Sequence, residues 1–312
     1  MPIARLHLDV RAETPLHLPP YAGSMLRGAF GHALLELAPL PHEDGKPCTL
    51  HDRCAYCQVF ATLPLATGHS LQKFNRMPAP YVIEPPATTQ PRTLLAGDTF
   101  QFSLVLIGKA WQHLPTLVLA FERAMQRGLG QRDKVRCTLL NVHQENNDTP
   151  FWQAGQSCPS LQPPSLPSAA AIDNRITLHL QSPLRMQVLD AATGKNKPAR
   201  KNQLDARTFL MALARRQQLL LDVYHGNQTT TLDFAALAQH ADTIELDASQ
   251  LHWFDWARFS NRQNRTMKLG GLIGTLQLQG MLAPFAELLH LGQWLHAGKE
   301  TTFGLGQYRL AH

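Results

Sequence analysis

Apolar residues in the first part of the chain recur with two different periods, and the order of these periods predicts the order of the elements. Alternation of apolar and polar residues is typical of half-buried strands, whereas apolar residues three and four positions apart are typical of helices. The pattern predicts strand, helix, strand, strand, helix and strand at 3–10, 23–38, 80–85, 99–107, 113–127 and 134–142. This order is βαββαβ.

The same order of elements returns in the second part of the chain. The stretch 146–172 is rich in Pro, Ser and Gln and shows neither period, so we predict a linker there. After it, the pattern predicts the same six elements at 175–180, 205–223, 244–256, 269–279, 284–295 and 302–310. A βαββαβ unit forms a four-stranded antiparallel sheet with both helices on one face. We therefore predict an α+β chain with two such domains, 1–145, which carries a cysteine-containing insertion, and 173–312.

Composition narrows the class of protein. The 312 residues are 44% hydrophobic and 17% charged, which is typical of a globular chain, and the net charge of +6 favours polyanionic partners. No stretch approaches the roughly 18 apolar residues of a membrane span, so we expect no membrane partner and a cytoplasmic location. The five cysteines, an odd number, favour reduced thiols or a metal over a disulfide framework.

The end of the chain carries a glycine-rich segment, HAGKETTFGLG, at 296–306. Glycines allow positive φ and close backbone approach, so we expect amide donors that can hold phosphates. The residues assigned to this role are Gly298, Lys299, Thr301, Thr302, Gly304 and Gly306. The alternative is a helix-to-strand turn with glycine caps and solvated polar side chains. The segment lacks the GxxxxGK[ST] pattern, which argues against a nucleoside-triphosphate site.

Two further segments are basic. Residues 253–276 interleave Arg258, Arg262, Arg265 and Lys268 with aromatic residues, a combination suited to stacking on bases and pairing with phosphates. The alternative is a hairpin whose aromatic residues fill the core. The second segment, 194–201, is predicted to be a loop before a helix, and its basic residues are either RNA contacts or a solvated charge run. These residues are Lys195, Lys197, Arg200 and Lys201.

Three cysteines in the first half are spaced like metal ligands. Cys48, Cys54 and Cys57 form C-x5-C-x2-C, and either His42 or His51 can supply a fourth ligand. The spacing is compatible with a structural zinc site. The alternative is that these cysteines are small buried side chains.

Several phrases of the sequence together resemble the CRISPR repeat-processing endoribonucleases of the RAMP superfamily. They are YAGSMLRGAFGHALLEL (21–37), CAYCQVF (54–60), RGLGQ (127–131), SPLRM (182–186), ARRQQLL (214–220), the RFSNRQ and LGGLIGTLQLQG block (258–280) and the terminal HAGKETTFGLGQY. The resemblance covers most of the chain. It implies two tandem ferredoxin-like domains, also described as RRM-like.

The resemblance also implies an activity. Members of the family bind CRISPR precursor RNA and cut within each repeat by attack of a 2′-hydroxyl on the neighbouring phosphate, with no cofactor required. The implied partners are CRISPR repeat RNA and other CRISPR effector subunits. Two alternatives stay open: a non-catalytic RAMP subunit that binds guide RNA in an effector complex, and an RNA-binding adaptor unconnected with CRISPR.

This reaction needs a base, an acid and a cation, and histidine serves either proton role near neutral pH. Carried over from the family, His32 in the first helix is the first candidate for base or acid, and Arg27 is expected to contact RNA. The further candidates are His42 for proton transfer, Lys46 for stabilising charge, Tyr21 for orienting a hydroxyl and His296 for binding RNA.

Overall fold

The computed structural model divides the chain into two compact units, residues 1–166 with 223–225 and residues 167–222 with 226–312. It describes residues 1–40, 42, 48–62, 77–88, 90–130, 134–163, 168–190, 192–225, 231–260 and 265–311. For residues 257–260 and 265–268 it describes the backbone and not the side chains.

The first unit contains seven strands and two helices in its described residues. The strands are β1 (Ile3–Ala12), β2 (Leu16–Leu18), β3 (Tyr81–Glu84), β4 (Arg92–Leu94), β5 (Thr99–Ile107), β6 (Cys137–Gln144) and β7 (Trp152–Gln153). The helices are α1 (Gly23–Glu36) and α2 (Leu114–Arg127). The main sheet has the order β3-β5-β1-β6-β7, and its pairs are antiparallel. The four strands β1, β3, β5 and β6, together with the two helices, form the βαββαβ unit, and their order in the sheet is that of a ferredoxin-like domain.

Alternation along β1 separates the two faces of this sheet. Leu6, Leu8 and Val10 are buried in the core with residues of α1 and α2. His7 and Asp9 lie between them and therefore point to the other face. Stacking of Phe30 on Phe121, with ring centroids 4.4 Å apart, joins the two helices.

The second unit repeats this plan with additions. Its strands are β8 (Arg175–Leu184), β9 (Gln187–Leu189), β10 (Asn196–Pro198), β11 (Glu245–Asp247), β12 (Leu251–Ser260), β13 (Arg265–Gln279) and β14 (Tyr308–Ala311). Its helices are α3 (Ala206–Tyr224), α4 (Phe234–Ala241) and α5 (Ala286–Leu295). The sheet order is β11-β13-β8-β14, and β12 pairs with β13.

The pairing of β13 changes along its length. From Leu272 to Gln279 it pairs with β8 inside the sheet. From Arg265 to Gly271 it pairs with β12, beyond the residues paired with β8. The two strands therefore extend past the sheet as a two-stranded ribbon, which is called the β12–β13 ribbon below.

Most predicted elements are present, and the α+β class with two ferredoxin-like domains is confirmed. The differences lie in the irregular parts. Residues 151–161, predicted as linker, contribute β7 to the first sheet and pack Phe151, Cys158 and Leu161 on its core. The predicted strand 302–310 begins instead as a 3-10 turn, and the helix α4 was not predicted.

None of the helices in the described part of the chain combines the length and the hydropathy that a membrane span requires.

Candidate functional site

Four metal-ligating side chains of the first unit lie together: His42, Cys48, Cys54 and Cys57, called the Cys/His cluster below. One donor atom from each lies within 4.8 Å of the other three. The Nε2 atom of His42 is 3.0 Å from the Cys57 sulfur and 3.6 Å from the Cys54 sulfur. The structure thus places His42, and not His51, beside the three cysteines.

The ring of His42 is oriented as in a metal ligand. Its Nδ1 lies 2.9 Å from the carbonyl oxygen of Leu40, and because a carbonyl only accepts, Nδ1 is the donor. In the neutral ring the lone pair is then on Nε2, the atom that faces the sulfurs. A hydrogen bond at the other ring nitrogen is the usual way in which a ligating histidine is held. His51, in contrast, pairs through Nδ1 with the side-chain amide of Gln58 at 3.0 Å.

The thiols of the cluster affect one another. Burial, and then the neighbouring thiols of Cys54 and Cys48, raise the pKa of the Cys57 thiol. Three thiols this close cannot all ionise unless a positive charge compensates them. A divalent cation that prefers sulfur and imidazole ligands supplies such a charge. The cluster could therefore hold a metal ion.

A π-helical turn, Tyr56–Phe60, contains Cys57 of the cluster and packs against α1. The guanidinium carbon of Arg27 lies 4.4 Å from the centre of the Phe60 ring. Gly31, one turn further along α1, leaves the space in which this ring sits. The turn therefore holds Arg27 by a cation–π contact.

The predicted catalytic residues around α1 differ in accessibility. His32 is exposed, Arg27 is half-buried, and Tyr21, which precedes the helix, is buried. His32 follows Arg27 by five positions, which places it about 140° further around the helix axis. Lys46 lies outside the described residues.

The glycine-rich segment uses its amides within the protein. Six backbone N–H groups in and beside this segment donate hydrogen bonds to acceptors within the protein. They belong to Ala297, Lys299, Phe303, Gly304, Gly306 and Gln307. The partners of Lys299 and Gly306 are the carbonyl oxygens of Arg185 and Pro183, both at 3.0 Å or less. Of the expected phosphate donors, the amides of Lys299, Gly304 and Gly306 are therefore committed to acceptors inside the protein.

The side chains of this segment fall into two groups. His296 is fully buried and its Nδ1 donates to the carbonyl oxygen of Leu305 at 3.1 Å, so its predicted contact with RNA is not available in this structure. Thr301, Gly304 and Gly306 are buried as well. Gly298 and Thr302 are half-buried, and Lys299 is exposed.

Backbone contacts of the segment connect it to other basic residues of the second unit. Arg185 is half-buried and donates from a guanidinium nitrogen to the carbonyl oxygen of Gly270 at 2.7 Å. Burial lowers the pKa of Arg185, opposed by the charge of Glu300. The ring of Trp253 occupies the space that a side chain on Gly270 would need. Arg185 belongs to the SPLRM phrase, but the sequence did not predict its role, because a lone arginine is not a recognisable RNA-binding motif.

A second arginine, Arg200, stacks on the ring of Trp253. The guanidinium carbon of Arg200 lies 3.7 Å from the ring centre, and the indole N–H donates to Asp255 at 2.7 Å. Arg200 is exposed, so one edge of its guanidinium can reach a ligand while its face is held by the ring. Arg185, Arg200 and Lys299 are called the basic cluster below.

The other predicted basic residues are spread over neighbouring elements. Lys195 lies in the turn of the β9–β10 hairpin. Lys197 lies in strand β10, not in a loop, and pairs with Asp190 at 2.7 Å. The amine of Lys201 lies 3.4 Å from the carbonyl oxygen of Ser249. Arg258, Arg265 and Lys268 are on the β12–β13 ribbon, and their side chains are not described. Arg262 lies outside the described residues.

One group of titratable residues in the first unit was missed. The rings of His7 and His143 lie 5.2 Å apart on the sheet face opposite the helices. His7 Nδ1 is 2.9 Å from the hydroxyl of Ser103, and His143 Nε2 is 3.6 Å from Asp9. No local motif signals this group, since its members come from three strands.

Two known families match different parts of the chain. Residues 178–308 match the family described as CRISPR-associated endoribonuclease Cas6, and residues 1–165 match a family described as an N-terminal domain. The second unit therefore carries the sequence features of the Cas6 family of CRISPR-associated endoribonucleases. The resemblance seen in the sequence is thereby confirmed. No curated protein matches the chain.

Solved structures of Cas6 proteins share the fold. A Cas6 product complex is 15% identical with a TM-score of 0.61, and the match covers 100% of both chains. Thermus thermophilus Cas6 is 14% identical with a TM-score of 0.55, covering 99% of this chain and 98% of the other. A partial Cas6-RT-Cas1–Cas2 complex contains a chain that is 17% identical with a TM-score of 0.57. That match covers 100% of this chain and 46% of the other.

Proposed function

We propose that this protein binds CRISPR precursor RNA and cuts it within the repeat without a catalytic metal. The observation that carries the proposal is the match of residues 178–308 to the Cas6 endoribonuclease family. The basic cluster and the basic sequence of the β12–β13 ribbon, both in this part of the chain, support RNA binding.

The proposed cut is a transfer within the RNA backbone. The 2′-oxygen attacks the adjacent phosphorus and loses its proton to a base, while the bond from phosphorus to the 5′-oxygen breaks and an acid protonates the leaving oxygen. The products are a 2′,3′-cyclic phosphate and a 5′-hydroxyl. No atom in this balance has to come from a metal-bound water, so two proton-transfer groups and a cation suffice.

His32 is the candidate for one of the proton-transfer roles. It is exposed on α1, where it can reach a bound ligand, whereas His42 directs its lone pair at the cysteine sulfurs. We therefore assign His42 to the Cys/His cluster and keep His32 as base or acid. Arg27, half-buried on the same helix, is the candidate for a phosphate contact. The burial of Tyr21 favours a role in packing α1 over direct contact with a substrate hydroxyl.

The second unit supplies the proposed RNA-binding surface. A guanidinium stacked on Trp253 and the exposed amine of Lys299 can pair with phosphates. The solved Cas6-RT-Cas1–Cas2 complex supports the further proposal that other CRISPR proteins are partners.

For the Cys/His cluster we propose zinc in a structural role. Three cysteines and one histidine complete a tetrahedral zinc site and leave no open position for water or substrate. Such a closed site contributes to folding and not to the chemical step.

The test incubates the full-length protein with repeat RNA from its own genome in excess EDTA, for a time over which its metal content stays constant. A second RNA carries one 2′-deoxyribose at the cut found for the first. We expect cleavage of the ribose substrate alone. Cleavage of the deoxy substrate, or a requirement for added divalent metal, would reject the proposed reaction. RNA that is bound and never cut would favour a non-catalytic RAMP subunit instead.

A matched pair of variants tests His32. His32→Ala is expected to lower the single-turnover rate by about a hundredfold or more with RNA affinity retained, as for loss of a general acid or base. His17→Ala removes another exposed histidine of the first unit and should leave the rate unchanged. Equal rates for both variants would remove His32 from the mechanism.

A further inference from the structure

The Cys/His cluster has the dimensions of a zinc site. With Zn–S bonds of about 2.3 Å and a Zn–N bond of about 2.0 Å, a tetrahedral centre separates nitrogen from sulfur by about 3.5 Å. The observed separations from His42 Nε2 are 3.0 Å to the Cys57 sulfur and 3.6 Å to the Cys54 sulfur. Both nitrogen–sulfur separations thus lie within about 0.5 Å of the value for a bound ion, and all four donor atoms lie within 4.8 Å of one another.

The surroundings of the cluster limit the choice of ligands. Cys54 and Cys57 are fully buried, and His42 is held by Leu40 on the side away from the sulfurs. The backbone N–H of Gln58 donates to the Cys54 carbonyl at 2.9 Å and closes the turn between the two cysteines. His51 is engaged with Gln58 outside the set. The donor set is thus three thiolates and one imidazole.

Cys57 of the cluster is three residues from Phe60, whose ring packs on α1. Cys57 is the second residue of the π-helical turn, and Phe60 is its last. The Phe60 ring stacks on the rings of Tyr56, at 5.6 Å, and Tyr81, at 6.2 Å. The guanidinium carbon of Arg27 lies 4.4 Å from the centre of the same ring. Displacement of the turn would therefore remove the surface on which this arginine rests.

We propose that His42, Cys48, Cys54 and Cys57 bind one zinc ion, and that the ion holds Phe60 on α1 and so positions Arg27 to contact RNA. The positioning of Arg27 rests on the proposed binding and cutting of RNA, whereas the occupancy of the zinc site is independent of RNA. Binding releases the thiol protons to solvent as the three Zn–S bonds form. Zinc takes no part in the cut.

Metal content tests the site without reference to RNA. We expect the purified full-length protein to contain one zinc ion per chain by mass spectrometry of the metal. His42→Ala and Cys57→Ser should lose it, while His51→Ala, the matched histidine control, should keep it. Titration of the wild-type protein with a strong zinc chelator should change the near-ultraviolet circular dichroism of the aromatic rings around Phe60. A protein that holds no zinc and takes up none, or one that loses it through His51→Ala and not His42→Ala, overturns the site.

RNA affinity tests the coupling to Arg27. With a repeat RNA that carries 2′-deoxy sugars to prevent cutting, Arg27→Ala and His42→Ala should each weaken binding by about tenfold, the size of one charge-assisted contact. If zinc acts through Arg27, the double variant should be no weaker than either single one. Phe60→Leu should keep the zinc and show the same loss of affinity. Losses that multiply in the double variant would overturn the coupling.

These results separate the two parts of the argument. If the wild-type protein neither binds nor cuts repeat RNA, the proposed function and the coupling fail, while zinc content and the circular dichroism still decide the metal site. If zinc is absent and RNA is cut, the metal site fails alone.

Discussion

The ring of Phe60 occupies the space that a side chain on Gly31 would need. A β-carbon built on Gly31 would lie 2.2 Å from the Cζ atom of this ring, far inside contact distance. Phe60 is held in this place by its stacking on Tyr56 and Tyr81. The absence of a side chain at Gly31 therefore allows the cysteine-bearing turn to lie directly on α1.

A methyl group at Gly31 is expected to destabilise the first unit. Alanine favours a helix over glycine by about 1 kcal/mol, but overpacking against a confined ring costs about 1–3 kcal/mol. We expect Gly31→Ala to lower the free energy of unfolding by about 1 kcal/mol. Gly28→Ala is the control, because no atom lies within 4 Å of its β-carbon, and it should raise stability by up to about 1 kcal/mol. Urea unfolding measures both, and a stabilising Gly31→Ala would contradict the contact.

The glycine-rich segment gives a second comparison. Gly306 has φ of +77°, and a β-carbon there would lie 1.8 Å from the carbonyl oxygen of Ala297. A backbone carbonyl cannot move aside as the end of a side chain can. We therefore expect Gly306→Ala to lower the free energy of unfolding by about 3 kcal/mol or more. Gly194 has φ of +64° in open space, so Gly194→Ala should cost about 1 kcal/mol. Equal losses in urea unfolding would show that the segment is not packed as described.

The basic cluster should determine the salt dependence of RNA binding. Each phosphate contact that is lost should reduce the slope of log affinity against log salt by about 0.7–1 for single-stranded RNA. We expect this reduction for Lys299→Ala and Arg200→Ala. Arg175→Ala removes an exposed arginine that is bonded to Gln279, and it should leave the slope unchanged. Equal slopes for all four proteins would place the RNA elsewhere.

The His7–His143 pair should make stability depend on pH. Burial, and then the charge of His143, lower the pKa of His7, with Glu145 opposing and Arg5 adding to the effect. The folded state then disfavours the protonated ring, so stability is complete above the unfolded pKa of about 6.5 and is lost as the pH falls through that value. His7→Gln should lose less stability than the wild-type protein between pH 7.5 and pH 5. Parallel curves would show that His7 does not contribute.

The regular elements could be predicted because their patterns are local. Strand β5 has the predicted bounds 99–107, and β1 extends the predicted strand by two residues. The period of two or of 3.6 residues follows from backbone geometry within a few positions. Residues 151–161 were assigned to a linker because β7 has two residues, too few to show any period.

The candidate sites were less predictable, because they depend on partners far apart in the chain. The spacing of the cysteines indicated a metal site, but the choice of His42 over His51 required the hydrogen bond to Leu40. Glycines at the end of the chain indicated unusual backbone, but the amide of Gly306 bonds to Pro183 of β8, more than one hundred positions earlier. A sequence gives no sign of which acceptor a backbone amide will meet.

By itself, the sequence determined the order of the elements, their duplication and the residues that resemble the Cas6 family, since periodicity and local spacing follow from covalent geometry. The tertiary structure alone decided that Phe60 lies on Gly31, that Arg200 lies on Trp253 and that His7 faces His143. These contacts arise only when distant segments pack together. For His7 and His143, a shift of the strand pairing by a single residue would turn the ring to the opposite face of the sheet.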